Sequence, residues 1–156
     1  MNLQSGSKPP ATRILSIDFG LVRLGLAISD EMKIIATPLP TLQAEKKGEN
    51  TVNKLFLFLE AHAAENRYQL EKIIIGMPLL MDGRIGLLAD EVKHFISLLQ
   101  QKTAVPIVTW DERLTTVQAE RSLREASLTR KKRAKKVDSI SALIILQNYL
   151  DSIRMT

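Results

Sequence analysis

Short apolar runs separated by turn residues occupy residues 13–39 of the chain. They predict strands over residues 13–17, 24–29 and 34–39, because each run is brief and rich in isoleucine or leucine. The first turn is predicted over residues 19–23, and Pro38 lies at the end of the third strand. Short turns between consecutive strands favour an antiparallel meander.

The spacing of the apolar positions becomes helical further along the chain. Apolar residues recur at steps of three and four over residues 50–67 and again over residues 86–102, which predicts two amphipathic helices. Each helix is followed by a short apolar run, residues 71–77 and 105–110, and these runs predict strands of a parallel sheet.

Two more helices are predicted near the end of the chain. One begins at Thr115, where Gln118 completes a capping box, and the other covers residues 137–153. The order β-β-β-α-β-α-β-α-α predicts a mixed five-stranded sheet flanked by helices, which matches the ribonuclease H-like α/β fold. A flavodoxin-like sheet would need helices between the first strands. Residues 1–11 predict a flexible leader, and residues 12–156 predict a single domain.

The bulk composition narrows the class of protein. The net charge is +5 and the pI is about 9.6, a basic balance that favours a polyanionic partner such as nucleic acid. The chain has no cysteine, which excludes disulfides and cysteine-ligated metals. It has neither an apolar signal sequence nor an apolar run of the ~18 residues that span a membrane, so we expect a cytoplasmic protein.

Acidic residues follow two of the predicted strands and begin the last helix. Asp18 comes directly after the first strand, Asp111 and Glu112 come directly after the fifth, and Asp138 lies near the start of the last helix. Catalytic groups and ligands are commonly found beyond the carboxyl ends of such strands. Carboxylates that converge there would bind Mg²⁺ or Mn²⁺, the cations that activate water for phosphoryl transfer.

Each of these acidic residues also has a purely structural interpretation. Asp18 suits the turn before Gly20, and Asp138 suits the first turn of a helix. Asp111 and Glu112 suit a solvated loop. Asp82 precedes a glycine in a strong turn signal and is only a weak candidate for the metal site. The functional interpretation rests on the joint placement of the acidic residues.

Basic residues are concentrated in one segment. Residues 121–137 contain eight basic residues and one acidic residue, so the rest of the chain is slightly acidic. A phosphate backbone explains such a run better than a solvated loop does. The residues predicted to bind nucleic acid are Arg23, in the first turn, together with Arg113, Arg130, Lys131, Lys132, Arg133, Lys135 and Lys136.

Four motifs give the sequence a family resemblance. They are residues 18–25 (DFGLVRLG), residues 76–83 (GMPLLMDG), residues 110–116 (WDERLTT) and the stretch over residues 130–150. In this order and spacing the chain resembles the YqgF family, also called RuvX. One departure is the pair Ser141 and Ala142, where the family usually has two alanines, and serine is small enough to preserve the packing.

The resemblance implies a fold, an activity and a site. It implies a ribonuclease H-like cytoplasmic nuclease that matures the 5′ end of pre-16S ribosomal RNA, with Holliday junction cleavage as the alternative. Asp18, Glu112 or Asp111, and Asp138 would be the catalytic, metal-binding carboxylates. Arg113 would contact phosphate or hold its loop.

Other function classes remain open at this point. An ATP-binding protein of the actin and sugar-kinase type shares this fold, but it needs a late glycine-rich loop, and no glycine follows Gly86. A non-catalytic RNA-binding factor would use the basic segment alone. The sequence does not distinguish RNA from DNA as substrate, or a monomer from a homodimer.

Overall fold

The fold is built around one mixed sheet. The computed structural model describes residue 6 and residues 8–77, 87–112 and 139–155. Within these residues the chain forms five strands and three helices. The strands are β1 (Ala11–Phe19), β2 (Arg23–Ser29), β3 (Ala36–Gln43), β4 (Tyr68–Met77) and β5 (Ile107–Asp111). The helices are α1 (Gly48–Asn66), α2 (Leu87–Lys102) and α3 (Ser139–Arg154).

The strand order is β3-β2-β1-β4-β5. The first three strands pair antiparallel, whereas β4 pairs parallel with both β1 and β5. The meander, the later parallel strands and the mixed sheet predicted from the sequence are therefore confirmed. The order of elements also agrees with the prediction, apart from the helix predicted to begin at Thr115, which lies outside the described residues.

Helices cover both faces of the sheet, and strand alternation decides which side chains meet them. On one face Leu15, Ile17, Ile73 and Ile75 pack against α1 and α2 in a large apolar cluster. On the other face the intervening residues of the same strands, such as Ile14 and Ile74, pack against α3. Both central strands are thus buried on two sides, which explains their continuous apolar runs.

Several strands are longer than the apolar runs predicted. β1 continues through Asp18 to Phe19, because Asp18 pairs with Gly25 and Phe19 pairs with Leu24 on β2. The prediction that the first strand ends at Ile17, before Asp18, was therefore wrong by two residues. β3 also continues beyond Pro38, as far as Gln43. Proline has no backbone N–H to donate, but β3 is an edge strand with no neighbouring strand on its outer side, where proline is tolerated.

Candidate functional site

Asp18 lies on the face of the sheet that α3 covers. Its neighbours Ile17 and Phe19 both pack on the α1 and α2 side, so alternation directs Asp18 to the opposite side. Two residues earlier, the Ser16 hydroxyl donates a hydrogen bond to the carbonyl oxygen of Ala142 in α3, at 2.7 Å. Asp18 is partly exposed, so it lies outside the fully buried part of this face.

Glycines flank Asp18 on both neighbouring strands. Gly25 is its paired residue on β2. On β4, Ile75 pairs with Ile17, so Gly76 is the next residue along the parallel ladder. Because neither glycine has a side chain, the sheet surface beside Asp18 is left open to other groups.

Glu112 occupies the space above one of these glycines. A methyl group built on Gly76 would lie 2.5 Å from Glu112 Oε1 and 2.6 Å from Ile145 Cδ1. The Glu112 carboxylate therefore lies directly over the backbone of β4, beside α3. This is the face toward which Asp18 points, so the fold brings together two acidic residues that are far apart in sequence.

The environment of Glu112 disfavours its ionised form. Burial raises the pKa of the Glu112 carboxyl above its ordinary value, and the negative charge of Asp111 raises this pKa further. A nearby divalent cation would oppose both effects, since it favours the charged form. The oxygen donors of Asp18 and Glu112 are also the ligand type that Mg²⁺ and Mn²⁺ prefer.

Asp111 is directed differently from Glu112. Trp110 packs in the cluster beneath α3, whereas Met77, which pairs with Asp111, packs against the opposite cluster. Asp111 is the last residue of β5, so alternation places it on the α1 and α2 side. Of the two neighbouring candidates, Glu112 is the one on the face of Asp18.

The start of α3 lies on the same face of the sheet as Asp18 and Glu112. Ser139 is fully buried, and its hydroxyl donates a hydrogen bond to the carbonyl oxygen of Leu39 at 2.7 Å. Leu39 pairs with Leu26, and Leu26 pairs with Ile17, so α3 begins two strands away from β1, at the level of Ile17. Asp138 precedes Ser139 in the sequence but lies outside the described residues. Among the residues that are described, no three acidic or histidine side chains form a metal-binding group.

The predicted basic residues are only partly covered by the structure. Arg23 is exposed and begins β2, opposite Gln43 on β3. It lies at the same edge of the sheet as Asp18, where a phosphate could approach. The other predicted nucleic-acid-binding residues lie outside the described residues: Arg113, Arg130, Lys131, Lys132, Arg133, Lys135 and Lys136.

Two features of the site had only weak signals in the sequence. Gly76 leaves room for Glu112, and the one signal was a glycine closing an isoleucine-rich strand. The buried serines Ser16 and Ser139 tie α3 to the sheet, and they are unusual only as polar residues at core positions. Trp110 packs edge-on against Tyr149, with ring centroids 5.7 Å apart, as a core residue does.

None of the helices in the described part of the chain has the length and apolar character needed to cross a membrane.

Sequence comparison relates nearly the whole chain to known proteins. Residues 12–152 match the family model described as RuvX, Holliday junction resolvase. A protein of Protochlamydia amoebophila named "Putative pre-16S rRNA nuclease" is 62% identical over 146 residues, which cover 94% of this chain and 97% of that protein. A Clostridium acetobutylicum protein of the same name is 41% identical over 141 residues, which cover 90% and 99% of the two chains.

Solved structures agree with this relationship at the level of the fold. Thermus thermophilus RuvC in complex with Holliday junction substrate matches with a TM-score of 0.61 and 17% identity, over 92% of this chain and 96% of that one. The fowlpox virus Holliday junction resolvase matches with a TM-score of 0.52 and 14% identity, over 90% and 99%. The predicted ribonuclease H-like fold is confirmed. The family model and the curated relatives together show that the chain belongs to the RuvX family.

Proposed function

We propose that this protein is a divalent-metal-dependent nuclease that processes the 5′ end of pre-16S ribosomal RNA. The observation that carries the proposal is the placement of Asp18 and Glu112 on one face of the sheet, the face on which α3 begins. The choice of RNA rests on the names of the curated relatives. A ribosomal RNA substrate also implies a cytoplasmic location.

Asp18, Glu112 and Asp138 would hold the metal in this proposal. When bound, Mg²⁺ or Mn²⁺ would activate water and stabilise charge on the phosphate. The chain itself contributes a fixed frame, since Gly76 and Ile145 confine the Glu112 carboxylate and the buried Ser139 fixes the helix that follows Asp138. Asp111 would act on Glu112 through its charge, from the opposite face.

The basic residues would hold the phosphate backbone of the substrate. Arg23 and Arg113 belong to the segments that follow Asp18 and Glu112 in the chain, and the remaining basic residues precede Asp138. Each phosphate contact that is lost should lower the slope of log affinity against log salt by ~0.7–0.9. Replacing Lys131, Lys132 and Arg133 by glutamine should therefore flatten the salt dependence of binding, and an unchanged slope would show that this segment does not meet the substrate.

A cleavage assay tests the proposed activity. Structured RNA with a 5′ extension is incubated with Mg²⁺, Mn²⁺ or EDTA and with the parent, Asp18→Asn or Asp90→Asn. Asp90 is exposed on α2 and provides a matched aspartate control. We expect cleavage by the parent and the control with either metal, and none by Asp18→Asn, whose binding should persist. Equal cleavage by all three proteins would exclude the assigned site.

Holliday junction cleavage is the second candidate, favoured by the description of the matching family model. The same assay on a four-way DNA junction distinguishes the two activities by their rates. Junction resolution requires two symmetric cuts, so sedimentation of the free protein should then reveal a dimer. Binding of RNA without cleavage by any variant would instead favour a non-catalytic RNA-binding factor.

A further inference from the structure

A cavity of about 320 Å³ lies at the same edge of the sheet as Asp18, on the opposite face. It is formed by the β1–β2 turn, the loop between β3 and α1 with the first turns of α1, and the middle of α2. Its lining includes Phe19, Leu21, Lys46, Glu91, His94 and Phe95. The proposed metal site does not use this cavity, because Phe19 and Asp18 point to opposite sides of β1.

The walls of the cavity combine aromatic surface with hydrogen-bonding groups. The rings of Phe19 and Phe95 are in contact, with centroids 5.0 Å apart, and Phe95 is almost fully buried as part of the floor. Lys46, Glu91 and His94 bring donors and acceptors to the same space. A flat ring with apolar faces and a polar edge matches this combination, and nucleobases have that chemistry.

The β1–β2 turn, which contributes Leu21 to the lining of the cavity, presents apolar side chains to solvent. Leu21 is 66% exposed and Val22 is 64% exposed, although both are large and apolar. The turn is held in place, because the amide of Ala44 donates to the carbonyl oxygen of Val22 at 2.8 Å. Apolar side chains fixed at the surface of a nucleic-acid-binding protein can separate stacked bases.

We propose that this cavity binds one unstacked nucleobase of the substrate, from a nucleotide near the cleaved bond. The inference rests on the proposed nuclease function. Asp18 and Phe19 are consecutive residues on opposite faces of β1. An RNA chain with a phosphate at the proposed metal site would therefore pass the cavity where it crosses this edge of the sheet. Leu21 and Val22 displace the base from its neighbour, and Phe19, Lys46 and His94 receive it.

Filling the cavity provides the test. Ala44 lines the cavity, so Ala44→Phe should occupy it, and Ala61→Phe makes the same substitution at an exposed position of α1. His94→Ala removes a polar group from the wall, and the exposed neighbour Lys93→Ala is its control. The probe is an RNA hairpin with a single-stranded 5′ extension, together with a set in which one nucleoside at a time is replaced by an abasic site.

In the parent, an abasic site at one position should lower cleavage roughly tenfold, the range expected for loss of one stacked base. Ala44→Phe should cleave intact RNA roughly tenfold more slowly. It should also lose the sensitivity to that abasic site, because both changes remove the same interaction. The two controls should retain both the rate and the sensitivity. If thermal unfolding shows that Ala44→Phe does not fold, His94→Ala carries the same comparison.

Each remaining outcome decides between the two proposals. The cavity does not bind a base if the parent cleaves RNA at the same rate whichever position is abasic. The same conclusion follows if an abasic site slows Ala44→Phe as much as it slows the parent. In both cases the nuclease proposal stands. If the parent cleaves neither RNA nor a four-way junction with either metal, the nuclease proposal is wrong, and the base-binding proposal is wrong with it.

Discussion

The two faces of the sheet are built by different means. On the face beneath α1 and α2, contact with the helices is made mainly by a large cluster of apolar side chains such as Leu15 and Leu55, and the His62 ring of α1 shares a hydrogen bond with the Tyr68 hydroxyl at its edge. On the face beneath α3, Ser16 and Ser139 donate hydrogen bonds to the backbone of the opposing element, each at 2.7 Å. Apolar packing tolerates small displacements, whereas these hydrogen bonds fix the register of α3. The proposed metal site lies on the face where position is fixed more tightly.

The largest expected effect separates Glu112 from Asp111. Glu112→Gln should lower metal-dependent cleavage by at least about a hundredfold, because a ligand to the cation is worth several kcal/mol in the transition state. Asp111→Asn should lower cleavage much less, since Asp111 is directed to the other face. Initial rates at several Mg²⁺ concentrations measure both. A larger loss in Asp111→Asn would reverse the assignment of the two faces.

Glu112→Gln should also make the metal-free protein more stable at neutral pH. Burial and the charge of Asp111 raise the pKa of Glu112 above its ordinary value of 4.5, so ionisation of this carboxyl opposes folding. The parent therefore loses stability relative to Glu112→Gln as the pH rises from about 4.5 through the raised pKa. Urea unfolding in EDTA across this range measures the difference. A variant that is less stable at every pH would contradict it.

Core truncation should affect the two faces in different ways. Leu55 is fully buried, so Leu55→Ala should lower the free energy of unfolding by about 2–5 kcal/mol. Ser16→Ala should cost about 1 kcal/mol, because only one hydrogen bond to α3 is lost. The folded fraction of Leu55→Ala should nevertheless cleave at the parental rate, whereas Ser16→Ala should cleave more slowly. The less stable variant should therefore be the more active one. Urea unfolding measures the stabilities, and cleavage rates are measured well below the unfolding temperature. Slower cleavage by Leu55→Ala than by Ser16→Ala would contradict this expectation.

Gly76→Ala should affect stability and activity together. The added methyl group would lie too close to both Glu112 Oε1 and Ile145 Cδ1, so the ends of both side chains must move. The cost in stability should be about 1–3 kcal/mol, as for other overpacked cores. Displacement of the carboxylate by about 1 Å should lower cleavage up to ~100-fold. Glu112→Asp in the same background withdraws the carboxylate by one methylene and should recover part of the stability, since the contact with Ile145 remains, without recovering the rate.

The order of the strands and helices could be predicted from the sequence, and so could the edge of the sheet at which Asp18, Asp111 and Glu112 lie. Periodicity predicts that Ile73 to Ile75 are buried, but a continuous apolar run does not show which residue faces which helix. For the same reason the sequence does not distinguish Asp111 from Glu112 as the metal ligand. Their directions depend on the register of β5 with β4, which is set by pairing between distant segments. The end of β1 was misplaced because Asp18 is polar, although its partner Gly25 extends the ladder.

The smallest expected effect lies at the opposite end of the sheet, away from the proposed site. Burial tends to raise the pKa of Asp30, but hydrogen bonds from the backbone amides of Ile35 and Ile34 outweigh it and lower this pKa below 3.8. The ionised carboxylate therefore stabilises the turn between β2 and β3 at neutral pH, and this contribution is lost as the pH falls through the lowered pKa. Asp30→Asn should be less stable than the parent at pH 7, with a difference that disappears at low pH. Glu31→Gln changes an exposed neighbour in the same turn and should show no such pH dependence. A constant difference between the parent and Asp30→Asn from pH 7 to pH 2 would mean that the charge of this carboxylate does not stabilise the turn.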